Sequence, residues 1–261
     1  MAPAAASLPP PHHRLLVEAS PAALARTVAA HVAATCRAAV AARRRARLVL
    51  AGGATPRATY ERLAGDGLRA QVPWPHIDVF WGDERHVPPT HPDSNYRMAD
   101  EALLRHVPLD PARVHRMCGE WPDPADAAAR YEQEIHTACG LRAGETPAFD
   151  LVLLGMGPDG HVASLFPGSP ALEEATRLVV APWVPHLGAH RITMTWPALL
   201  GARAIAVLVA GAAKAAVLRA ALLDPADVPK LPAHALRNAA GAVTWFADAD
   251  AAPWHRHQAA P

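Results

Sequence analysis

Short apolar segments that alternate with helical patterns constrain the fold of this chain more than any other feature. Six segments have the apolar, β-branched and aromatic character of buried strands: RLVLA (47–51), IDVFWG (77–82), FDLVLLG (149–155), RITMTW (191–196), AIAVLVA (204–210) and VTWFAD (243–248). Helical spacing marks residues 20–43, 123–139 and 214–223, and the first of these helices has Ser20 as its predicted N-cap and Pro21 at its first position. The alternation predicts an α/β fold with a mostly parallel sheet and helices on both sides.

The 261 residues, about half of them apolar, are enough for one large core, and no stretch has the composition of an interdomain linker. We predict a single domain over 14–250, with a flexible N-terminal segment (1–13) and a flexible C-terminal tail (251–261). One long Ala-rich helix is predicted in the 46 residues that precede the first predicted strand.

Composition argues against several classes of partner. A net charge of +1 does not imply a basic surface for nucleic acid, and no uncharged apolar run approaches the roughly 18 residues of a membrane span. Three cysteines without C-x-x-C spacing favour neither a disulfide framework nor a zinc site. The first 13 residues lack the basic and apolar parts of a secretion signal, so we expect a cytoplasmic protein.

Four predicted strands end in loops of small or charged residues, in LVLAGGATP, VFWGDER, LVLLGMGPDGH and AVLVAGAAK. The carboxyl ends of parallel strands share one edge of the sheet, and open α/β sheets bind ligands there. The sequence therefore predicts one pocket at this edge, lined by Gly52, Gly53, Thr55, Asp83, Arg85, Asp159, His161 and Lys214.

Two of these loops precede helices and suit an anion. In GGATP, the glycine amides, the Thr55 hydroxyl and the dipole of the helix that begins near Pro56 would bind a phosphate, although a plain strand-to-helix turn explains the glycines equally well. Lys214 also begins a helix, where a positive charge opposes the helix dipole unless an anion is bound. Lys214 therefore favours the phosphate interpretation.

The segment WGDERHVPPTHPDSNYRM has two interpretations. A solvated turn with local ion pairs is the more common context for such a triplet of charges. At the shared edge, however, Arg85 could clamp a carboxylate or phosphate, and Asp83 could orient a base or bind a sugar hydroxyl. His86 and His91 have no further ligands at metal-binding spacing, so we predict no metal site.

The loop after FDLVLLG contains G-x-G-x-x-G at Gly155, Gly157 and Gly160, the pattern of a dinucleotide-binding turn. Pro158 interrupts the loop, Asp159 would repel a pyrophosphate, and no acidic residue follows near position 177 to bind a ribose. Asp159 and His161 are instead typical of a general base with its orienting carboxylate. A capping aspartate beside a surface histidine is the alternative.

Five segments together carry a family resemblance: LAGGATPRATYERLA, VFWGDERHVPPTHPDSNYRMADEALL, FDLVLLGMGPDGHVASLFPGSPAL, HRITMTWPAL and VAGAAKAAVL. In this order, over about residues 47–248, they resemble the 6-phosphogluconolactonase family. The resemblance implies a three-layer Rossmann-like domain similar to that of glucosamine-6-phosphate deaminase, with no cofactor and no metal. It also implies hydrolysis of a phosphosugar lactone, 6-phospho-D-glucono-1,5-lactone, in the oxidative pentose phosphate pathway, by a monomer or weak homodimer.

The resemblance assigns roles by position. His161 matches the proposed general base, with Asp159 beside it, while Arg85 and Lys214 match residues proposed to hold the substrate phosphate. The glycine loop contributes Gly52, Gly53 and Thr55, Arg191 opens a later strand of the family pattern, and Asn95 is a weaker candidate for substrate contact. The family often has serine at the position of Ala54, so phosphate binding in this chain would depend on backbone amides and Thr55.

Two other functions share these motifs. The deaminase branch has a glutamate five residues after the histidine, where this chain has Phe166. Sugar-phosphate sensors that regulate transcription carry a DNA-binding segment, and the Ala-rich helix before residue 47 does not resemble one. Both differences favour the lactonase.

Overall fold

The computed structural model describes residues 13–257, and its central sheet lies between two layers of helices. Within these residues the strands are β1 (His13–Glu18), β2 (Ala46–Leu50), β3 (Ile77–Trp81), β4 (Asp83–Arg85), β5 (Leu151–Gly155), β6 (Val179–Val180), β7 (Trp183–Val184), β8 (Ala189–Met194), β9 (Ala204–Val209) and β10 (Ala242–Asp248). The α-helices are α1 (Pro21–Arg43), α2 (Ala54–Ala64), α3 (Asp66–Arg69), α4 (Asn95–Ala102), α5 (Pro124–Cys139), α6 (Trp196–Leu200) and α7 (Ala215–Leu223).

The central sheet has the strand order β1-β10-β9-β5-β2-β3, and every neighbouring pair is parallel. The predicted parallel α/β fold is confirmed. From β2 the chain continues outward to β3, whereas β5, β9 and β10 lie on the other side of β2. The crevice between β2 and β5 is therefore the topological switch point, where such sheets bind their ligands.

Alternating side chains of the strands form two separate cores. Leu48 and Leu50 of β2 pack towards α1 and α2, and Val49 packs towards α5 on the opposite face. All three side chains are fully buried. A strand covered on both faces has no polar alternation, which explains why these segments are continuously apolar.

The first helix begins as its sequence indicates. The Ser20 hydroxyl accepts a hydrogen bond from the Ala23 amide, Pro21 occupies the first turn, and Arg44 ends the helix in a left-handed conformation. The predicted N-cap is confirmed.

The segment RITMTW departs from the prediction in its partners. Its strand, β8, spans Ala189–Met194 and lies outside the central sheet, where it pairs antiparallel with β4, β6 and β7. Trp196 already belongs to α6. Strand propensity identifies an extended segment but carries no information about its neighbour, which here is the short β4 that follows β3 after Gly82.

Both ends of the described chain contain structure that the predicted strands and helices did not include. The prediction that the first strand begins at 47 is wrong, because β1 pairs in parallel with β10 from His13 onward. At the other end, Ala251 and Ala252 are fully buried. The rest of the expected flexible segments, 1–12 and 258–261, lies outside the described residues.

None of the described helices combines the length and the apolarity that a membrane span requires.

Candidate active site

A cleft of about 380 Å³ opens at the carboxyl ends of β2, β3, β5 and β9, as the loop composition predicted. The structure brings eight of the ten predicted site residues to its lining: Gly52, Gly53, Thr55, Asp83, Arg85, Asn95, His161 and Lys214. Asp159 and Arg191 do not line the cleft. Asp159 contacts His161, and Arg191 lies beside Arg85.

The loop after β2 brings backbone into the cleft. Gly53 precedes α2 with a φ of 105°, a left-handed conformation that glycine adopts without strain, and the helix has no side-chain cap. A Cβ atom on Gly52 would lie 1.9 Å from Oδ1 of Asn95, so only glycine allows the Asn95 amide to approach this closely. The uncapped first turn of α2 provides amide donors and a favourable dipole for an anion in the cleft.

His161 and Asp159 form a hydrogen-bonded pair in the loop after β5. Nδ1 of His161 lies 2.6 Å from Oδ1 of Asp159, which also accepts the His161 backbone amide at 3.2 Å. Burial raises the pKa of Asp159, but the charge and hydrogen bonds of His161 outweigh burial, so this pKa lies below its ordinary value. The ionised Asp159 favours the tautomer with its proton on Nδ1 and leaves Nε2 free to accept a proton.

Two neighbours fix the position of the His161 ring. The rings of His161 and Phe166 have centroids 4.3 Å apart. Gly157 is the second neighbour: a Cβ atom at this position would lie 2.1 Å from Nδ1 of His161 and 2.6 Å from Oδ1 of Asp159. The glycine of the apparent dinucleotide pattern therefore makes room for the histidine and aspartate.

The Asp83 carboxylate is buried in a network of neutral donors. Its Oδ2 atom accepts a 2.7 Å hydrogen bond from the Ser164 hydroxyl, and Nδ2 of Asn95 donates to both Oδ1 (3.3 Å) and the backbone carbonyl (2.9 Å) of Asp83. Ala163, in a left-handed conformation with a φ of 49°, precedes Ser164. Asp83 and Asn95 thus join the loops that follow β2, β3 and β5.

Glu84 holds the segment that carries Arg85. Its buried carboxylate accepts hydrogen bonds from the backbone amides of Arg85, Asn95 and Tyr96 and from the Ser94 hydroxyl. Burial raises the pKa of Glu84 in spite of these four bonds. In the sequence Glu84 is marked only as part of a charged triplet, because a carboxylate that caps a helix eleven residues later leaves no local pattern.

Arg85 and Arg191 stand side by side across the β4–β8 pair. Nη1 of Arg85 donates to the Asp93 carbonyl at 2.5 Å, whereas its buried Nε has no hydrogen-bond partner within residues 13–257. Burial and then the charge of Arg85 lower the pKa of Arg191. Arg85 lines the cleft and Arg191 lies beside it, so the positive charges of the two favour a negatively charged ligand near Arg85.

Lys214 follows a turn that a buried carboxylate anchors. Asp248, at the end of β10, accepts the Gly211 amide at 2.9 Å and the Ala251 amide at 2.9 Å. Gly211 has a φ of 91°. Burial lowers the pKa of Lys214, and the charge of Asp159 opposes this effect. Asp248 was missed as a site residue, although its place at the carboxyl end of a strand was a usable signal.

The substitution Asp248→Ala is expected to lower the free energy of unfolding by about 1–3 kcal/mol, because the amides of Gly211 and Ala251 both lose their buried acceptor. Urea denaturation measures this change. The exposed Asp250 provides the matched control, and Asp250→Ala should leave the unfolding midpoint in place. Equal midpoints for the two variants would contradict the anchoring role.

Within residues 13–257, no group of three or more His, Cys, Asp or Glu side chains is arranged to hold a metal ion.

Comparison with known proteins gives a consistent result. The family model described as glucosamine-6-phosphate isomerases/6-phosphogluconolactonase matches residues 19–245. A 6-phosphogluconolactonase of Synechocystis sp. is 43% identical over 204 residues, which cover 78% of this chain and 82% of the relative.

Solved structures agree. The 6-phosphogluconolactonase from Trypanosoma cruzi is similar with a TM-score of 0.82 and 31% identity, over 95% of this chain and 98% of the other. A monomeric glucosamine-6-phosphate deaminase has a TM-score of 0.75 at 23% identity, over 91% of this chain and 98% of the other. The second likeness confirms the three-layer architecture and carries no further argument about activity.

Proposed function

Because the chain belongs to the family of glucosamine-6-phosphate isomerases and 6-phosphogluconolactonases, we propose that it hydrolyses 6-phospho-D-glucono-1,5-lactone to 6-phospho-D-gluconate, a step of the oxidative pentose phosphate pathway. The observation that carries this proposal is the placement of one histidine, oriented by Asp159, in a cleft bordered by cationic side chains. Lactone hydrolysis needs a base for water and, for this substrate, an anchor for a phosphate. The cleft contains candidates for both.

The 6-phosphate binds to Lys214, Arg85 and Arg191 and to the amides at the start of α2. The backbone supplies the polar contacts at position 54, because Ala54 has no hydroxyl. Charge-assisted hydrogen bonds to phosphate are about twice as strong as neutral ones. Anchoring the phosphate holds the lactone carbonyl near His161. The substrate then loses its translational and rotational freedom when it binds rather than in the chemical step, which lowers the barrier of that step.

His161 is the general base. Its Nε2 atom removes a proton from a water molecule while the water oxygen forms a bond to the lactone carbonyl carbon. When the tetrahedral intermediate collapses, the bond between the carbonyl carbon and the ring oxygen breaks, and the protonated imidazole returns its proton to that oxygen. The product carries a carboxyl group and a free hydroxyl, and the enzyme regains its starting protonation state.

Asp159 acts as a positioning residue. Its carboxylate holds the proton of His161 on Nδ1 and stabilises the imidazolium that forms during attack. The pKa of Asp159 lies below its usual value, so the carboxylate remains ionised throughout the neutral range.

Phe166 favours the lactonase over the deaminase. The deaminase branch has a glutamate at this position, and here the side chain is an aromatic ring packed on His161 and 7% exposed. Position 166 therefore supplies no second acid-base group, and the activation of water by one histidine does not require a second group.

The test is hydrolysis of freshly generated 6-phosphogluconolactone, followed by coupled oxidation of the product and compared with spontaneous opening. We expect the protein to accelerate this reaction and to leave glucosamine 6-phosphate unchanged. Deamination of glucosamine 6-phosphate without lactone hydrolysis would assign the protein to the other branch. Binding of both phosphosugars without turnover would make it a sensor.

A further inference from the structure

A second cationic pocket lies at the amino ends of the strands of the central sheet, opposite the catalytic cleft. Four arginines line a recess of about 110 Å³ together with Asp150 and Ala148: Arg43, Arg45, Arg47 and Arg203. Three of them stand at or beside the amino ends of β2 and β9, and Arg43 is the last residue of α1. The recess is separated from the catalytic cleft by the length of the strands, roughly 17 Å for five residues at about 3.3 Å each.

The carboxylates of the recess do not balance these arginines. Oδ1 of Asp150 forms ion pairs with Nη2 of Arg43 at 2.5 Å and with Nε of Arg203 at 3.5 Å. Oδ2 of Asp150 accepts a hydrogen bond from the Arg47 backbone amide. Arg45 pairs with the buried Asp78, which Arg113 already contacts. Asp150 and Asp78 thus face the four arginines of the recess, and Asp78 is shared with Arg113, so the recess has an excess of positive charge, although the net charge of the whole chain is only +1.

Arg47 carries most of the uncompensated charge. Nη2 of Arg47 donates to the Cys139 carbonyl at the end of α5, and in the described part of the chain no carboxylate lies within ion-pair distance of the guanidinium. Its Nε is buried without a hydrogen-bond partner in the same residues. A buried donor without an acceptor costs about 1–3 kcal/mol, so the Arg47 guanidinium is incompletely hydrogen-bonded as well as unpaired in charge.

The geometry defines the class of ligand. The planar forks of arginine match the oxygens of phosphate groups, and hydrogen bonds made to an anion are stronger than those made to neutral acceptors. A volume of about 110 Å³ is several times the roughly 30 Å³ that one water occupies, which leaves room for one phosphoryl group. The remainder of a larger ligand would extend into solvent past Arg43 and Arg203, whose side chains are 43% and 51% exposed.

We propose that the recess between Arg43, Arg47 and Arg203 is a second anion site, which binds the phosphoryl group of inorganic phosphate or of a small phosphate monoester. The site is independent of the lactonase proposal, because it shares no residue with the catalytic cleft. Asp150 holds Arg43 and Arg203 in place through ion pairs, and Arg47 is held by its position in β2.

Nuclear magnetic resonance tests the site directly through the Nε–H signal of Arg47 and the backbone amides of 47, 150 and 203. Inorganic phosphate is titrated into the protein at constant ionic strength, with sodium chloride as the reference salt. We expect saturable shifts of these signals with one common midpoint. The amides of Gly52 and Gly53 report the catalytic cleft separately in the same spectra.

Arg47→Gln and Arg203→Gln are each expected to raise this midpoint at least about tenfold, because each removes a charged partner of the phosphate. Arg26→Gln, on the exposed face of α1, is the matched control and should leave the midpoint unchanged. Arg47→Gln also removes the hydrogen bond from Arg47 to the Cys139 carbonyl. If that loss impairs folding, Arg203→Gln alone still tests the site.

Three results would overturn the proposal: shifts that do not saturate, equal shifts with sodium chloride, or variants that titrate like the parent. Saturation by a short single-stranded DNA without saturation by phosphate would also overturn it, in favour of a polyanion surface. Glycerol 2-phosphate separates the two sources: a lower midpoint than that of phosphate identifies a phosphorylated metabolite as the ligand, and a higher one identifies free phosphate. Both of these outcomes support the site.

Discussion

Replacement of His161 by alanine is expected to lower kcat for lactone hydrolysis by about 10²- to 10⁴-fold, the usual contribution of a general base. KM should change little, because the proposed phosphate ligands lie on other loops and remain intact. The measurement is steady-state hydrolysis with the spontaneous rate subtracted. The subtraction is essential for this variant, because spontaneous opening of the lactone contributes a larger share of a slower total rate.

His76→Ala is the matched control for this experiment. His76 is exposed and lies just before β3, at the edge of the sheet opposite the cleft. Its variant should retain full activity. If the His161 variant has the turnover of the parent protein, His161 is not the general base, and another group must activate the water.

Gly157→Ala should lower kcat on the order of 100-fold while the protein remains folded. The new methyl group would lie 2.1 Å from Nδ1 of His161 and 2.2 Å from Cε1, so the ring must move by about an ångström. Such a displacement of a catalytic group costs about 10² in rate. Turnover and the thermal unfolding midpoint, measured on the same preparation, separate displacement of the ring from loss of structure.

Gly67→Ala provides the comparison, because a Cβ atom at Gly67 meets nothing within 4 Å. It should leave kcat unchanged. If Gly157→Ala matches the parent in kcat, the ring tolerates displacement and its contact with Gly157 has no part in catalysis. If Gly157→Ala unfolds the protein instead, the glycine serves packing rather than the alignment of the base.

The sheet and the edge that carries the cleft were predictable from the sequence because they follow from local signals. A strand buried on both faces is apolar throughout, as Leu48, Val49 and Leu50 are, and a glycine loop after such a strand marks the ligand edge. Eight of ten predicted site residues line the cleft for this reason. The catalytic roles of these residues stay predictions.

What the sequence did not reveal depends on contacts between distant segments. Glu84 caps a helix, Asp248 anchors a turn 37 residues away, and Ser164 binds Asp83 across 81 residues. Strand β1 was missed for a related reason. HRLLVE has too few apolar residues to stand out, and as an edge strand it is half-buried, with Leu16 38% exposed.

The pairing of β1 with β10 sets the order in which the molecule can be completed during synthesis. Among the described strands β1 is the first to be made, yet its neighbour in the sheet, β10, is the last of them, and the Trp245 indole donates to His13 across 232 residues of sequence. Contacts this remote slow folding, because the intervening chain must be ordered first. Asp248 ends β10, so the turn before Lys214 acquires its anchor only after residue 248 has left the ribosome. A nascent chain that stops short of β10 therefore contains the glycine loop and His161, but the turn before Lys214 still lacks the carboxylate that anchors it.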